Sequence, residues 1–210
     1  MGSLPIKYLG VPLLSTNLTA ADCKILIDNL MAQIKSWTNR FLSFAGRLQL
    51  IHSVLSNMQN YWANLFILPK RSIKQMEKLI RSFLWSGIEH RHTGAKVAWA
   101  DLNCPKSEGG LGIRKIEDMN KSLMASHIWE ICQPISNSTW VNWVKVHLIR
   151  EHSFWEIPIP SRCSWTWWKL LSVRIHIRPL MVHRIGNGLN TMLWFDNLAT
   201  NGTHHLYLWG

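Results

Sequence analysis

The sequence predicts a mainly α-helical fold, in which a helical hairpin or bundle is followed by an irregular helical connection and a small C-terminal β-hairpin. Apolar residues recur at helical spacing over most of the 210 residues, a length that can bury a core. Near the end, Gly186-Asn187-Gly188 joins two short apolar runs, and Asn-Gly at such a position is a strong hairpin signal.

The chain opens on a predicted strand. In IKYLGVPLL, residues 6–14, the alternation up to Gly10 is typical of a strand that meets a turn. Nothing before Ile6 supplies a partner strand, and Pro12 is expected to end regular pairing. The sequence therefore predicts a strand that has no neighbour in this chain.

A helical hairpin is predicted between Thr19 and Pro69. Thr19 and Asp22 have the capping-box spacing, and Ser43 can cap a second helix that Pro69 stops. The first helix has an apolar stripe of Cys23, Ile27, Leu30, Ile34 and Trp37. The stripe of the second helix is Phe44, Leu48, Ile51, Leu55, Met58, Trp62 and Leu65. Each stripe marks the face that we expect to be buried.

The helix after Pro69 carries charge of one sign on one side. On a wheel of 100° per residue, the following cations fall within ~80° of one another: Lys70, Lys74, Lys78 and Arg81. The opposite side is apolar and carries Ile73, Met76, Ile80 and Phe83. Glu77 is the one acid on this helix. A charge run is usually a solvated surface, but a one-signed face in a chain of net charge +11 favours contact with phosphates.

The remainder of the chain is predicted to alternate loops and short helices. Residues 86–112 form a structured loop in which KVAW, residues 96–99, is a short strand or an extended stretch. After an extended linker at 157–164, WTWWKLLSVR is predicted to be helical. The predicted helices beyond the loop cover residues 116–131, 140–147 and 165–174.

Catalytic and metal-binding motifs are absent from the sequence, which contains no H-E-x-x-H, P-loop or EF-hand pattern. The close histidine pairs are His90 with His92 and His204 with His205. Neither pair has two further ligands at zinc-like spacing, so scattered histidines are the favoured interpretation. Glu117-Asp118, the only adjacent carboxylates, suit the first turn of a helix. No converging carboxylates for a two-metal polymerase or nuclease can be assembled.

Cysteine usage and hydropathy also limit the cellular compartments in which the protein is expected. Its cysteines, Cys23, Cys104, Cys132 and Cys163, form no C-x-x-C pair. This pattern favours reduced thiols in an intracellular protein over disulfides or a zinc site. No apolar run approaches the ~20 residues that span a bilayer, and the N-terminus lacks a long apolar signal segment. Nuclear and cytoplasmic locations both remain open.

Seven motifs occur along the chain in order. They are KYLGVPL (7–13), WTNRFLSFAGRLQLI (37–51), VLSNMQNYWANLFILPK (54–70), FLWSG (83–87), VAWADLNCPKSEGGLGI (97–113), SWTWWKLL (164–171) and RIGNGLNTMLWFDN (184–197). Their succession resembles the reverse transcriptase of plant LINE-type non-LTR retrotransposons, in the part that follows the catalytic Asp-Asp motif of the palm. The resemblance covers nearly the whole chain.

The resemblance implies a domain organisation. It places a remnant palm and primer-grip strand at 1–15, a thumb-like helical region at 16–87, a helical connection at 88–160, and a Trp-rich helix with a β-hairpin at 161–210. In the family, the thumb packs along the primer-template duplex. The fold class implied is therefore a polymerase thumb-like helical bundle, which agrees with the pattern of apolar stripes.

The resemblance also assigns roles to particular residues. Tyr8, Leu9 and Gly10 match the strand-turn that grips the primer terminus in such enzymes. Arg40 and Arg47 belong to the signature stretch of the thumb. By its charge alone, Arg47 either reaches a phosphate or forms a structural ion pair, and both interpretations stay open. Together with the cations of the basic helix, the predicted nucleic-acid-binding residues are Tyr8, Leu9, Gly10, Arg40, Arg47, Lys70, Lys74, Lys78 and Arg81.

The expected function is binding of duplex or RNA–DNA hybrid through phosphates, without sequence preference. The Tyr/Phe-x-Asp-Asp motif of the family is missing, so the chain offers no ligands for the two Mg²⁺ ions and is expected to lack both a cofactor and polymerase activity of its own. It resembles a truncated open reading frame.

Three alternatives remain open. The chain is a subunit that needs a palm-bearing polypeptide in trans, a poorly stable gene product without function, or, as the weakest option, a basic protein of a membrane surface. The apolar side of the basic helix fits packing in a bundle as well as it fits a lipid surface, and no membrane partner is expected.

Overall fold

The computed structural model describes residues 6–13, 17–38, 42–86, 97–184, 196–197 and 206–209. It divides into two compact units, Met1–Lys121 and Ser122–Gly210. The elements before the division are β1 (Ile6–Tyr8), β2 (Val11–Leu13), α1 (Lys24–Thr38), α2 (Phe44–Leu50), α3 (Ser56–Leu65), α4 (Lys70–Ser86) and α5 (Trp99–Leu102). The division falls within α6 (Ile116–Cys132), after which come α7 (Thr139–Val144), α8 (Trp165–Ile177), β3 (Met181–Arg184) and β4 (Leu206–Trp209). The described residues are mainly helical, which confirms the predicted fold class.

The predicted first strand has a partner in this chain, contrary to expectation. β1 pairs antiparallel with β2, and Pro12 lies opposite Lys7 within the ladder. The chain reverses over Leu9 and Gly10, whose φ angles are 49° and 81°. Positive φ at both central residues suits the twist of a two-residue hairpin, so the strand folds back onto the residues that follow it. Proline is tolerated because both strands of such a hairpin are edge strands.

The first helix is built as predicted. The Thr19 N–H donates to the Asp22 carboxylate at 2.8 Å, and the Asp22 N–H donates to the Thr19 hydroxyl at 3.3 Å, which closes the capping box. Of the predicted stripe, Ile27 is half-buried, and the buried members are Cys23, Leu30, Ile34 and Trp37. The Trp37 ring packs on Phe83 of α4, with ring centroids 5.6 Å apart. The core of this unit therefore includes the contact of α1 with α4.

The second predicted helix is interrupted by a π-helical turn. Ser43 caps α2, since its hydroxyl accepts a 3.1 Å hydrogen bond from the Gly46 N–H. Residues Ile51–Leu55 then form the π turn that leads into α3. A π turn bonds residue i to i+5 and shifts the phase of the side chains around the helix. The predicted stripe is buried at Ile51, Leu55 and Trp62 but 38% exposed at both Phe44 and Leu65.

Short helical turns, rather than a strand, order the segment 97–113. Of KVAW, predicted as a short strand or an extended stretch, Lys96 lies outside the described residues, Ala98 is extended, and Trp99 begins α5 instead of continuing a strand. The correction has a local cause, because the N–H groups that follow Ala98 bond back to its carbonyl oxygen in helical fashion. Further along, Gly110 passes very close to Cys104, and a Cβ built at Gly110 would lie 2.0 Å from the Cys104 carbonyl oxygen.

The predicted helices at 116–131 and 165–174 are confirmed, and the one at 140–147 is α7 followed by a π-helical turn over Lys145–Ile149. α7 and α8 are capped by Ser138 and Ser164, whose hydroxyls each accept a backbone hydrogen bond from the first turn. Arg174 of α8 donates to the carbonyl oxygens of Phe154 and Ile157, both at 2.6 Å. The guanidinium thereby holds the start of the extended linker against the helix.

The C-terminal strands differ from the predicted β-hairpin. β3 and β4 pair in parallel, with Met181 opposite Leu206 and Arg184 opposite Trp209. Parallel neighbours need a crossover connection rather than a tight turn, so this ladder is not formed by a two-residue Asn-Gly loop. The predicted turn at 186–188 lies outside the described residues.

Three further predictions concern membrane-spanning helices, the cysteines and the domain organisation. No helix among the described residues is long and apolar enough to cross a membrane. Cys23, Cys104, Cys132 and Cys163 are all free thiols. The four-part organisation at 1–15, 16–87, 88–160 and 161–210 is not tested by the division into two units and stays a prediction.

Candidate nucleic-acid interface

The helix α4 has the two faces that its sequence predicts. Its buried residues are Ser72, Ile73, Met76, Leu79, Ile80, Phe83 and Leu84. Its exposed side carries Lys70, Lys74, Lys78 and Arg81, which we call the basic face. Burial of several large apolar side chains, each contributing about 1.5–3 kcal/mol, fixes the rotation of the helix about its axis. The basic face is therefore held toward solvent by the packing behind it.

The Asn120 side chain of α6 hydrogen-bonds to the end of α3 and to the segment that leads into α4. Its side-chain amide donates to the carbonyl oxygens of Ala63 and Phe66 at 2.6 and 2.8 Å, and its carbonyl oxygen accepts from the Leu68 N–H at 2.9 Å. Asn120 is only 4% exposed. These three bonds satisfy backbone groups left open where α3 ends and α4 has not yet begun. These hydrogen bonds hold the backbone just before Lys70, the first residue of the basic face.

The lysines of the basic face are available for an anionic ligand. Within the described part of the chain, neither Lys74 nor Lys78 forms an ion pair. Lys70 lies near Glu117, whose pKa is lowered chiefly by a hydrogen bond from Lys121 and only secondarily by the charge of Lys70. Three extended cations on successive turns suit a run of phosphates, which bind each cation by charge rather than by a fixed geometry.

Arg81 is held in place by an aromatic ring. Its guanidinium carbon lies 5.1 Å from the centroid of the Trp99 ring, a cation–π arrangement. Glu77, the one acid of α4, lies close to both groups. Burial raises the pKa of Glu77, while the nearby Trp99 N–H and the Arg81 charge act in the opposite direction. The Trp99 Nε1 is buried and forms no hydrogen bond of standard geometry within the described part of the chain.

Arg71 is a cation of α4 that the sequence-based prediction omitted. It is exposed, and on the helical wheel it follows Lys78 by only about 20°. Widening the predicted basic face by one position would have included it. The exposed side of α4 is therefore more strongly basic than predicted.

Arg47 has a different environment from the cations of α4. It lies on α2, is half-buried, and its Nε is enclosed without a hydrogen-bond partner among the described residues. The structural ion pair that was one interpretation of Arg47 is not formed within the described part of the chain. Arg40, from the same sequence motif, lies outside the described residues.

The residues of the predicted primer grip form the tip of the β1–β2 hairpin. Tyr8 pairs with Val11 in the ladder, and Leu9 and Gly10 are the exposed turn, with Leu9 73% exposed. The Tyr61 hydroxyl of α3 donates to the Leu9 carbonyl oxygen at 3.0 Å. The turn is thus attached to the helix that precedes α4, while Lys70, Lys74, Lys78 and Arg81 share a face of α4 itself.

The described residues contain no group of three or more His, Cys, Asp or Glu side chains that could hold a metal ion. Glu117 and Asp118 occupy the first turn of α6, as predicted for acids at a helix N-terminus. The histidine pairs that were considered as ligands, His90 with His92 and His204 with His205, lie outside the described part of the chain.

Comparison with known proteins finds relatives but no family model that matches the chain. It is 31% identical over 194 residues to the "Putative ribonuclease H protein" of Arabidopsis thaliana, across 89% of this chain. The chain spans 30% of the length of that protein. It is also 26% identical over 145 residues to an "Uncharacterized mitochondrial protein" of the same plant, across 68% of this chain and 93% of that protein. Such relatives are typical of retrotransposon-derived reading frames, and the chain is accordingly similar to plant proteins related to retroelements.

Proposed function

We propose that the chain is the thumb-and-connection part of a non-LTR retrotransposon reverse transcriptase and that it binds primer-template duplex or RNA–DNA hybrid through phosphates. The observation that carries the proposal is the basic face of α4. Four cations share one exposed side of a helix whose other side is buried, and the only acid on the helix, Glu77, is half-buried. The order of the seven motifs and the similarity to plant retroelement-related proteins support the family assignment.

The binding follows from the physics of a polyanion. Each phosphate that meets a lysine or arginine releases condensed counterions, so the observed binding constant falls with a power of the salt concentration. Lysines bind phosphates as point charges and carry no base-reading geometry. The basic face therefore supports affinity without sequence preference.

We also propose that this chain does not polymerise DNA by itself. Two-metal phosphoryl transfer requires carboxylates that converge on a pair of Mg²⁺ ions, and the Tyr/Phe-x-Asp-Asp motif that supplies them in this family is not present in the sequence. In this proposal, a palm for the primer terminus is supplied in trans. The turn at Leu9 and Gly10 then offers a contact for the primer end.

A salt titration tests the binding. Fluorescence anisotropy with a 20-base-pair RNA–DNA hybrid and the matching DNA duplex gives the binding constant at several salt concentrations. The triple variant Lys70→Ala, Lys74→Ala, Lys78→Ala is compared with a control triple at exposed cations elsewhere, Lys106→Ala, Lys121→Ala, Arg162→Ala. We expect the wild-type log–log slope to become shallower by about one unit for each lysine lost from the basic face.

Two outcomes would overturn the binding proposal. One is weak wild-type binding that does not change with salt. The other is an equal loss of slope in both triple variants, which would show that net charge and not the basic face governs binding.

Primer extension tests the absence of catalysis. The purified chain is incubated with an RNA template, a DNA primer, nucleotides and Mg²⁺, and we expect no extended product. A labelled RNA strand in the same mixture checks for cleavage, the activity named in the Arabidopsis relative that carries the ribonuclease H name. Extension by a homogeneous preparation would contradict the proposed division between this chain and a palm in trans.

A further inference from the structure

A groove of about 580 Å³ lies between the start of α1 and the neighbouring side of α4. Its volume falls in the range of sites that hold a small organic ligand. The groove borders the basic face, because Lys78 belongs to both. Any strand bound along the basic face would therefore pass the mouth of this groove.

The rim of the groove is cationic. Lys24 of α1 and Arg71 and Lys78 of α4 line it, and all three are exposed. Within the described residues, none of the three forms an ion pair. Asp28 is the one acid in the lining, so the rim carries a surplus of positive charge. This surplus complements a phosphate group.

The wall of the groove is apolar. Ile27 and Met31 of α1 are half-buried, and Leu79 of α4 is 4% exposed, so each presents hydrocarbon surface to the space between the helices. The exposed Gln75 amide, which can both donate and accept hydrogen bonds, also lines the groove. A cationic rim beside an apolar wall suits a ligand with an anionic end and a flat uncharged body.

We propose that this groove binds one unpaired nucleotide at the end of a strand held on the basic face. Its phosphate lies among Lys24, Arg71 and Lys78, and its base lies against the wall formed by Ile27, Met31 and Leu79. The Gln75 amide and the Asp28 carboxylate meet the sugar hydroxyls or the edge of the base. The inference rests on the proposed binding of duplex or hybrid, and it adds that an overhanging end is preferred to a blunt one.

The test measures the gain in affinity that an overhang brings. Dissociation constants are determined for a blunt duplex, for duplexes with a one-nucleotide 3′ or 5′ overhang, and for the same overhangs made abasic. We expect one of the base-bearing overhangs to bind about fivefold to tenfold more tightly than the blunt end. The abasic overhang isolates the phosphate, and we expect it to show less than half of that gain.

A matched pair of variants locates the site. Gln75→Trp fills the groove from an exposed position of α4, whereas Gln33→Trp places the same side chain at an exposed position of α1 that does not line the groove. We expect Gln75→Trp to abolish the overhang gain while blunt-end binding stays within about twofold of wild type. Gln33→Trp should keep the gain. Arg71→Ala, which removes one rim cation without adding bulk, should reduce it.

Several results would overturn the inference. Equal affinity for blunt and overhanging ends would do so, as would an equal gain from abasic ends or a gain that survives in Gln75→Trp. A short oligoglutamate peptide that removes the overhang gain and leaves blunt-end binding intact would identify a peptide groove instead. Salt-dependent binding to blunt duplex with no overhang gain would defeat this inference alone, whereas the loss of all salt-dependent binding would defeat the proposed function as well.

Discussion

The hydroxyl of Tyr61 on α3 donates a hydrogen bond to the carbonyl oxygen of Leu9, at the tip of the β1–β2 hairpin, over 3.0 Å. Leu9 is in the left-handed region with φ of 49°, where a residue with a Cβ costs roughly 1–2 kcal/mol. The hydrogen bond offsets part of that cost and attaches the hairpin to the helical bundle. A two-stranded hairpin has little stability of its own, so burial of Val11 and Pro12 in β2 and this hydrogen bond at the exposed turn both hold it.

Tyr61→Phe should loosen the hairpin without unfolding the bundle. Loss of one hydrogen bond should lower the stability of the hairpin by about 0.5–1.5 kcal/mol, and amide hydrogen exchange at residues 6–13 should accelerate by about twofold to tenfold. Exchange in α4 should not change. Leu9→Asn is the complementary variant, because asparagine tolerates the left-handed region and should slow exchange in the same strands. Unchanged exchange in both variants would contradict this account.

Gly110→Ala should be the most damaging single substitution in the segment 97–113. The new Cβ would lie 2.0 Å from the Cys104 carbonyl oxygen, so the backbone must move, at a cost on the order of 3 kcal/mol. Gly109→Ala is the matched control, since φ is +83° there but nothing lies within 4 Å of the added Cβ. It should cost about 1–2 kcal/mol through the left-handed conformation alone. Thermal unfolding compares the two, and equal shifts in melting temperature would refute the close approach.

Asn120→Ala should destabilise the first unit. It leaves the buried N–H of Leu68 and the carbonyl oxygens of Ala63 and Phe66 without the partner that Asn120 provides. We expect the free energy of unfolding to fall by about 1–3 kcal/mol in urea titration. Asn57→Ala removes an exposed side-chain-to-backbone bond on α3 and should change it by less than about 0.5 kcal/mol. Similar losses in the two variants would count against the role given to Asn120.

Glu77→Gln should strengthen nucleic-acid binding. The substitution removes the one negative charge of α4, close to Arg81, and keeps the shape of the side chain. At low salt we expect the dissociation constant for duplex to fall about twofold to threefold, and the difference should shrink as salt screens the charges. Glu108→Gln, at an exposed position on another element, is the control. A tightening that is equal in both variants would indicate a net-charge effect.

Cys132 should make the protein less stable at alkaline pH. Burial raises the pKa of its thiol to about 12, with Asp196 adding to the rise and Lys145 opposing it. Above the unfolded-state pKa near 9, the unfolded chain loses this proton before the folded chain does, so the free energy of unfolding falls as pH rises. Cys132→Ala should flatten the decline between pH 9 and 11, whereas Cys163→Ala, at an exposed thiol, should leave it as in wild type. Identical alkaline profiles for all three proteins would disprove this linkage.

Prediction from sequence was accurate for helices whose caps and apolar stripes are formed by residues close together in the chain. In α1 the capping box of Thr19 and Asp22 acts within one turn, and no distant residue is needed to form it. The two faces of α4 follow from a 3.6-residue period, because a single stripe of apolar residues can be buried in only one orientation. The assignment of Lys70, Lys74, Lys78 and Arg81 to one exposed face needed no further information.

Other features escaped prediction because they depend on contacts or on backbone detail. The partner of β1 was missed because Pro12 was expected to end pairing, and a hairpin of two edge strands accepts it. The π turn at Ile51–Leu55 has no marked residue pattern, yet it shifts the phase of the side chains, and the two end residues of the predicted stripe, Phe44 and Leu65, are exposed. The parallel pairing of β3 with β4 joins segments distant in sequence, for which a local turn signal carries no information.

Composition and periodicity were enough to predict the mainly helical class, the apolar and basic faces of α4 and the positive net charge, because they express these properties directly. Tertiary packing was needed to show that Lys24 of α1 lies with Arg71 and Lys78 around one groove, and that Asn120 of α6 holds the start of α4. The same packing brings the Tyr61 hydroxyl of α3 to the turn at Leu9. The physical reason is that these groups meet through packing of distant segments, and a one-dimensional pattern records which face of a helix is buried but not what it is buried against.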